Sequence, residues 1–229
     1  MFRVGHSMLS SDLPMSWGPG WGGFVWTEDL KGSFFEPGLF TSNAYTTDQI
    51  MGGLVARKCQ EIDTKVVEDV RDFLFGENGA TACLDLVALN IQRGRDHGIP
   101  LYNDMREAAG LARKNSISEI TANASVRQAL STLYNNNVNL IDAWVGGLAE
   151  DHVPDASLGE LMLTVIKLQF EKLAYGDPNF YLGDSDVWNE GIRAFVMDVE
   201  DITLSKIIEY NTIISRDSSL SAFIYGKKA

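Results

Sequence analysis

The sequence predicts an all-α protein with one long irregular segment near its N-terminus. Apolar residues recur at helical spacing through most of the 229 residues, and helix-capping residues stand where several of these patterns begin. No strand alternation competes with them, and no internal repeat is visible. The length suits one domain with a large core, and a hydrophobic content of 45% is ordinary for a globular protein.

The irregular segment covers residues 7–46, where Gly, Ser, Trp and Pro are frequent. Gly and Pro interrupt this stretch too often for a helix, so we expect an ordered loop, with a short hairpin around Phe24–Phe35 as an alternative. Its aromatic side chains are expected to anchor it to the rest of the protein. They are Trp17, Trp21, Phe24, Trp26, Phe34 and Phe35.

Helical patterns begin after this segment. Thr47 or Asp48 can cap a helix that runs to about Lys58, and Asp63 or Thr64 can cap the next one. That second helix has an apolar stripe and a glycine, Gly76, just past its end. The stripe consists of Val66, Val67, Val70, Phe73 and Leu74.

The second half of the chain continues as helices. Gly98 and Pro100 are expected to end a central helix over about 84–94. Further helices are predicted over 101–113, Ser125–Tyr134, Asn139–Leu148 (ending at Gly146-Gly147), Ser157–Leu173, Asp186 to about Asp198, and Thr203–Tyr210. The pattern is clearest over Ser157–Leu173, where Ser157 and Glu160 form a capping box. Its buried stripe is predicted to be Leu158, Leu161, Met162, Val165, Ile166, Gln169 and Leu173.

Charge and composition exclude several classes of function. The net charge of −12 disfavours nucleic acid and anionic membranes as partners, because both require a basic surface. No apolar run approaches the ~20 residues of a membrane-spanning helix, and the first residues do not have the pattern of a signal peptide. Cys59 and Cys83 are expected to be free buried thiols, although a single bridge between them is an alternative.

The densest polar cluster lies in Leu84–Arg106, which reads LDLVALNIQRGRDHGIPLYNDMR. An apolar run comes first and a block of charged and amide residues follows. A surface helix usually carries its apolar residues at helical spacing instead. The arrangement indicates a buried segment whose end is held by hydrogen bonds, because buried Arg and Asp side chains need partners.

This cluster resembles the signature of the animal-type haem peroxidases, the peroxidase–cyclooxygenase superfamily, and their bacterial members in particular. The matching string is ALNIQRGRDHGIPLYNDMR, and Phe2-Arg3-Val4-Gly5-His6 resembles the family's proximal segment, Phe-Arg-x-Gly-His. The likeness continues through AWVGGLAED, LQFEKLAYGDPNFY and LSKIIEYNT. It therefore covers nearly the whole chain and implies the mainly helical haem-peroxidase fold, with residues 1–229 forming its C-terminal, proximal haem side.

The resemblance assigns roles to residues that have ordinary alternatives. It makes His6 the proximal ligand of the haem iron and Asn90 the acceptor for the other ring nitrogen, whereas a lone His or a buried amide is more often structural. Arg3 and Arg93 match positions that pair with haem propionates, although a surface ion pair is the alternative for each. The remaining expected cofactor contacts, on the proximal face, are Phe2, Phe75, Leu86 and Leu89.

No catalytic residue is expected within this chain. The family's distal His and Arg, its Ca²⁺ loop and the carboxylates that attach haem covalently lie upstream of the proximal His, so we expect the distal half to be absent. Arg95, Asp96 and His97 are interpreted as structural, because consecutive residues do not converge on one side of a helix. His152, in the acidic segment EDHVPD, is expected at the surface.

The expected function is that of a haem b-dependent peroxidase. By resemblance it reduces hydrogen peroxide at the expense of a small-molecule or halide donor, and it is secreted. The missing N-terminal half of the same protein is an expected partner, and the isolated chain is expected to bind haem weakly or not at all. Arg3 stands where fatty-acid dioxygenases of the superfamily have a radical-forming Tyr, which disfavours that alternative. A non-enzymatic adhesion or assembly module is the other alternative.

Overall fold

A computed structural model describes residues 1–17, 24–41, 46–71, 85–182, 189–193 and 201–214. The described part is mainly helical, which confirms the predicted all-α class, and it includes one small antiparallel sheet. The strands are β1 (Asp12–Ser16) and β2 (Phe24–Asp29). The α-helices are α1 (Leu30–Ser33), α2 (Gly38–Thr41), α3 (Thr46–Ala56), α4 (Glu68–Arg71), α5 (Leu86–Asp96), α6 (Tyr102–Ala108), α7 (Ala124–Leu133), α8 (Ala143–Ala149), α9 (Glu160–Gly176), α10 (Glu190–Arg193) and α11 (Leu204–Asn211). Short 3-10 helices cover Phe2–Met8, Ile117–Glu119 and Val138–Leu140.

The chain forms two compact units. The first consists of Met1–Leu9 and Gln60–Lys172, and the second consists of Ser10–Cys59 and Leu173–Ala229. The core of the first unit is built by residues from α6 to α9 and the turns between them. Its buried members are Tyr102, Ile117, Ile120, Leu130, Val138, Ile141, Ala149 and Leu161.

A buried carboxylate connects three parts of the first unit. Glu150 follows α8, accepts hydrogen bonds from the Tyr102 hydroxyl (2.7 Å) and the Leu161 backbone N–H (2.7 Å), and forms an ion pair with Arg106. Arg106 also donates to Glu160, at 2.6 Å, and to the backbone carbonyl of Ala112, at 2.7 Å. All of these groups are satisfied, so a buried charge pair is tolerated between α6 and the end of α8.

In the second unit, α3 packs directly on β1. A Cβ atom at Gly53 would lie only 1.7 Å from the backbone oxygen of Pro14, so only glycine permits this approach. The two strands pair antiparallel from Asp12 opposite Asp29 to Ser16 opposite Phe24, and the register shifts after Met15. The expected loop is therefore wrong over these two strands. The alternative hairpin around Phe24–Phe35 is also wrong, because β2 pairs with β1 and is followed by helix α1.

Several predicted helix bounds need correction. The helix expected after Asp63 begins only at Glu68, because the Asp63 carboxylate caps a local turn by accepting from the Lys65 N–H at 2.7 Å. The helix expected over Asn139–Leu148 is a 3-10 turn followed by α8. Gly146 and Gly147 lie inside α8, where Cβ atoms would collide with Tyr102 and Met162. These glycines serve close packing and do not end the helix.

The longest helix, α9, starts later and buries less than predicted. It begins at Glu160, whose carboxylate pairs with Arg106 and does not complete a capping box with Ser157. Leu161 and Met162 are fully buried, but Leu173, at the far end of the predicted stripe, is 55% exposed. The burial of this helix in the described chain is therefore concentrated in its first turn.

Candidate functional site

The 3-10 helix at the N-terminus carries three of the predicted site residues, Phe2, Arg3 and His6. This helix is stabilised by an internal hydrogen bond and is held to the first unit at its C-terminal end. The Ser7 hydroxyl is buried and donates to the Val4 carbonyl at 2.9 Å, and the Gln60 N–H donates to the Met8 carbonyl at 3.0 Å. His6 is therefore presented from a fixed backbone.

The other side of the site is helix α5. Asp85 caps its N-terminus by accepting from the Val87 and Ala88 N–H groups at 2.7 and 3.1 Å. Asn90 is 7% exposed, and Arg93 lies three residues later on the same face of the helix. The helix ends at His97, and Gly98 follows with a φ of +63°, a conformation that glycine adopts without strain.

The structure brings His6 and Asn90 together across 84 residues of sequence. Asn90 Nδ2 lies 3.0 Å from His6 Nδ1. In this arrangement Nδ1 accepts and the proton resides on Nε2, the tautomer that cannot ligate through Nε2. Rotation of the amide by 180° places Oδ1 at the same point. Nδ1–H then donates, and Nε2 has a free lone pair.

The surroundings of His6 favour the neutral imidazole that a metal requires. Burial lowers the pKa of His6 below its usual value, and the positive charge of Arg3 lowers it further. Among the described residues, Nε2 has no hydrogen-bond partner. Asn90 therefore orients the ring through Nδ1, and Nε2 is not occupied by another described residue.

A cavity of about 430 Å³ opens beside this pair within the first unit. Its volume is in the range of small-molecule and cofactor sites. The walls are mainly apolar, with a few polar side chains at separate positions. The lining residues are Met1, Phe2, Arg3, Asn90, Ile91, Arg93, Gly94, His97, Ile99, Pro100, Met105, Asp142, Ala143, Trp144, Val165 and Gln169.

The charge of the cavity is set by its two arginines. Neither Arg3 nor Arg93 makes an ion pair with any of the described residues. Among the described lining residues Asp142 alone carries a carboxylate. It accepts two hydrogen bonds from Arg95, at 2.9 and 2.8 Å, and one from the Tyr134 hydroxyl at 2.9 Å. The pKa of Asp142 is lowered, chiefly by the bonds from Arg95. Two free guanidinium groups beside apolar walls suit a flat ligand with an anionic edge.

The predicted site residues are only partly brought together. Phe2, Arg3, Asn90 and Arg93 line the cavity, and His6 contacts Asn90 without itself being part of the lining. Leu86 and Leu89 are half-buried and do not line it. Leu86 lies one turn before Asn90, at the start of α5, and Leu89 is rotated by about 100° around the helix from Asn90. Phe75, like Cys83, lies outside the described residues.

Sequence reasoning missed the wall formed by α8 and α9, which contributes Trp144, Val165 and Gln169. A signal was present, because Trp144 lies in AWVGGLAED and Gln169 begins the string QFEKLAYGDPNF, two segments that carry the resemblance. Spacing alone gives no reason to place these residues near His6. The interpretation of Arg95 and Asp96 as structural agrees with their contacts to Asp142 and Gln92.

The described residues do not form a metal site built from protein side chains alone. Across the described ranges, no group of three or more His, Cys, Asp or Glu residues is arranged to hold an ion. One oriented imidazole beside an apolar cavity suits a metal whose remaining ligands belong to a cofactor. None of the helices in this described part combines the length and the hydropathy of a transmembrane segment.

Comparisons with known proteins identify the family and the fold. The family model of the animal haem peroxidase matches residues 1–223. Human thyroid peroxidase is 34% identical over 99% of this chain, and peroxinectin A of Dictyostelium discoideum is 36% identical over 66% of it. Among solved structures, peroxidase A of D. discoideum has a TM-score of 0.80 and 30% identity, covering 96% of this chain and 40% of that one.

The chain spans about a quarter of the length of these curated relatives, 24% of thyroid peroxidase and 28% of peroxinectin A. A fatty acid α-dioxygenase of Oryza sativa also shares the fold, with a TM-score of 0.73 at 18% identity over 90% of this chain and 35% of that one. At that identity the likeness concerns the fold alone.

Proposed function

The chain belongs to the animal haem peroxidase family, and we propose that it carries the proximal, haem-binding part of a haem-dependent peroxidase. In this proposal His6 would ligate the haem iron, and the complete protein would reduce hydrogen peroxide while it oxidises a small-molecule or halide donor. One observation carries the proposal: the imidazole of His6 is oriented by Asn90 beside a cavity whose free charges are Arg3 and Arg93.

The residues present fit haem. Its porphyrin is flat and apolar, and the lining of the cavity is mainly apolar. Its two propionates are anionic, and two unpaired guanidinium groups line the same cavity. Its iron requires a neutral nitrogen ligand, and the lowered pKa of His6 keeps the imidazole neutral at physiological pH.

Each residue then has a defined task. His6 would offer Nε2 to the iron, and Asn90 would accept from Nδ1–H, which would fix the ring and raise the basicity of the ligand. Arg3 and Arg93 would hold the two propionate carboxylates. When bound, haem supplies the redox chemistry through which electrons pass from the donor to peroxide.

The proton transfers of peroxide reduction need a distal acid–base group, and we assign this group to residues outside the present sequence. The coverage of the relatives supports this assignment, because the chain corresponds to about a quarter of their length. Calcium binding and covalent attachment of haem are assigned to the same absent part. A location outside the cell is proposed from the resemblance to a commonly secreted family.

Two alternatives receive less support. A fatty-acid dioxygenase is disfavoured because Arg3, three residues before His6, occupies the position of the radical-forming Tyr. A non-enzymatic module that serves adhesion or assembly would have no physical reason to keep Arg3, His6, Asn90 and Arg93 together, and three of these four line one cavity.

Titration with haemin, followed by the Soret band, tests the proposal. We expect weak binding by this chain, since only one side of the cofactor is enclosed, with little peroxidase activity. His6→Ala should weaken the binding at least about tenfold, which corresponds to about 1.4 kcal/mol, because the axial bond is lost. His152→Ala is the matched control and should bind as the unmodified chain does, because His152 contacts Glu61 and the Ile62 carbonyl away from the cavity.

Two results would contradict the proposal in different ways. Equal haemin affinity of His6→Ala and the unmodified chain would remove His6 as the ligand. Tight, stoichiometric, His6-dependent binding with rapid peroxidase turnover by this chain alone would show that no distal part is needed.

A further inference from the structure

One Asn-X-Ser triplet occurs in the 229 residues, Asn123-Ala124-Ser125, and no Asn-X-Thr triplet occurs. The triplet stands at the start of α7, and residues 122–125 are all exposed. An Asn-X-Ser/Thr triplet with X other than Pro is the acceptor motif for N-linked glycans. The motif is short, and the positions of the Asn123 and Ser125 side chains determine whether the amide can be modified.

The side chain of Asn123 is arranged with its oxygen bound and its nitrogen free. Oδ1 caps α7 by accepting from the backbone N–H groups of Ser125 and Val126 at 3.0 and 3.3 Å. It also accepts from the Ser125 hydroxyl at 2.8 Å. Within the described ranges, Nδ2 has no hydrogen-bond partner. The atom that would carry a glycan is therefore accessible.

The Ser125 hydroxyl has a chemical consequence for this amide. A hydrogen bond to Oδ1 stabilises negative charge on the oxygen, so the Nδ2–H groups lose a proton more easily. An amide nitrogen is otherwise a poor nucleophile, because its lone pair is delocalised into the carbonyl. The hydroxyl two residues away is thus placed where it assists reaction at Nδ2.

The loop before the triplet is held to the body of the first unit. The carboxylate of Asp151 accepts from the Thr121 hydroxyl at 2.7 Å and the Ala122 N–H at 2.8 Å, and Arg127 donates to the Ala122 carbonyl at 3.0 Å. None of residues 121–126 lines the cavity. A glycan at Asn123 would leave the candidate haem site open.

We propose that Asn123 is an acceptor for N-linked glycosylation when the chain enters a secretory compartment. Nδ2 attacks C1 of the first sugar of a lipid-diphosphate-linked oligosaccharide, and a bond forms between Nδ2 and C1. The bond between C1 and the diphosphate oxygen breaks, the lipid diphosphate leaves with its electron pair, and Nδ2 releases one proton to a base of the transferase. Oδ1 remains an acceptor, so the cap of α7 is kept. The inference rests on the extracellular location proposed above and is independent of haem binding.

Secretion of the full chain from a eukaryotic host, behind a cleavable leader, tests the inference. Trypsin cleaves after Lys114 and Arg127, so residues 115–127 form one peptide that contains both Asn115 and Asn123. We expect this peptide to carry a glycan, and treatment with peptide N-glycosidase should convert Asn123, but not Asn115, into Asp. Haemin affinity should be the same before and after the treatment.

Two variants separate loss of the acceptor from loss of structure. Asn123→Asp retains an oxygen that caps α7 but lacks Nδ2, and Ser125→Ala removes the hydroxyl. Both should be secreted without a glycan, whereas Asn115→Gln should be modified like the unmodified chain. A peptide 115–127 that leaves the cell entirely unmodified, or a glycan that persists in Asn123→Asp, would overturn the inference.

Discussion

At the scale of single residues, the orientation of the Asn90 amide determines the tautomer of the His6 imidazole. With Nδ2 toward the ring, Nδ1 accepts and Nε2 carries the proton. With Oδ1 toward the ring, Nδ1 donates and Nε2 can bind iron. Under the proposed function, haem binding requires the second orientation, which a 180° rotation of the amide reaches with no movement of either backbone.

This requirement predicts opposite results for two substitutions of Asn90. Asn90→Leu removes the acceptor and should weaken haemin binding about 10- to 100-fold, the usual loss when the partner of a ligating His is removed. Asn90→Asp supplies an oxygen acceptor without an NH₂ group and should largely restore the affinity. Haemin titrations of the two variants, followed by the Soret band, measure the difference.

A matched control on the same helix is Gln92→Leu, because Gln92 is exposed, bonds Asp96 and does not line the cavity. It should bind haemin as the unmodified chain does. If Asn90→Asp binds as poorly as Asn90→Leu, the donating NH₂ group is the functional one and the proposed rotation does not occur.

At the scale of secondary structure, the ends of three helices meet at Asp142. The Arg95 side chain comes from the last turn of α5, Tyr134 is the C-terminal cap of α7, and Asp142 is the N-terminal cap residue of α8. Burial, with the bond to Asp142, raises the pKa of Tyr134 to about 12, so its hydroxyl remains a donor at physiological pH. The cluster anchors the helix that carries Asn90 and Arg93.

This cluster should make stability depend on acid pH. Because the pKa of Asp142 is lowered in the folded chain, its contribution is fully present above the unfolded pKa of about 3.9. The contribution is lost as the pH falls through the lower, folded pKa. Asp142→Asn should therefore reduce the free energy of unfolding at pH 7, and its difference from the unmodified chain should shrink below about pH 4. Urea unfolding across this range measures the difference.

Asp104→Asn provides the comparison, since Asp104 is exposed and its ion pair with Arg113 lies at the surface. Such pairs contribute about 0–1 kcal/mol, so this variant should stay close to the unmodified chain throughout. An Asp142→Asn difference that is constant from pH 7 to pH 3 would contradict the expected role of the charge.

The approach of α8 to α6 depends on Gly146. A Cβ atom there would lie 2.3 Å from Cδ2 of Tyr102, a fully buried ring whose hydroxyl is bound by Glu150. The ring cannot move away without breaking that bond. Gly146→Ala should lower the free energy of unfolding by about 1–3 kcal/mol, the usual cost of overpacking.

Gly94→Ala is the matched control for this effect, because Gly94 lies inside α5 with nothing within 4 Å of an added Cβ. Alanine there should be neutral or should stabilise the fold by up to about 1 kcal/mol. Urea unfolding compares the two variants, and equal stability of Gly146→Ala and the unmodified chain would show that α8 can shift away from Tyr102.

Helix positions were predictable where local signals dominate. Helix α3 begins and ends within two residues of its prediction, and Thr203 caps α11 as its residue type suggests. Local signals do not predict the ends of a helix where a side chain distant in the sequence determines them. Glu160 pairs with Arg106 across 54 residues, which no capping rule anticipates. The glycines of α8 are explained only by their neighbours in space.

At the scale of the whole molecule, the candidate site joins residues that are far apart in the sequence. His6 and Asn90 are separated by 84 positions, and Trp144 and Gln169 follow at still greater distances. Periodicity and spacing cannot connect them, because neither carries information about packing between distant segments. The resemblance supplied the pairing of His6 with Asn90, and only the three-dimensional arrangement supplied the wall from α8 and α9.

Among the described residues, the later turns of α9 carry exposed apolar side chains, including Leu168 and Phe170, which are 42% and 59% exposed. The ring of Phe170 contacts that of Phe2 with their centres 5.4 Å apart. The net charge of −12 gives no attraction to nucleic acid or anionic lipid that would account for this surface. Its position beside Phe2 connects it with the same part of the first unit as the cavity.

The carboxylate of Glu150 has a consequence for how sequence changes are interpreted. It binds Tyr102 and Arg106 of α6 and the backbone of α9, and α6 and α9 supply Met105, Val165 and Gln169 to the walls of the cavity. Loss of this buried carboxylate would therefore change the shape of the cavity, although Glu150 does not line it. Under the proposed function, a substitution of Glu150 would weaken haemin binding without removing any residue that touches the cofactor.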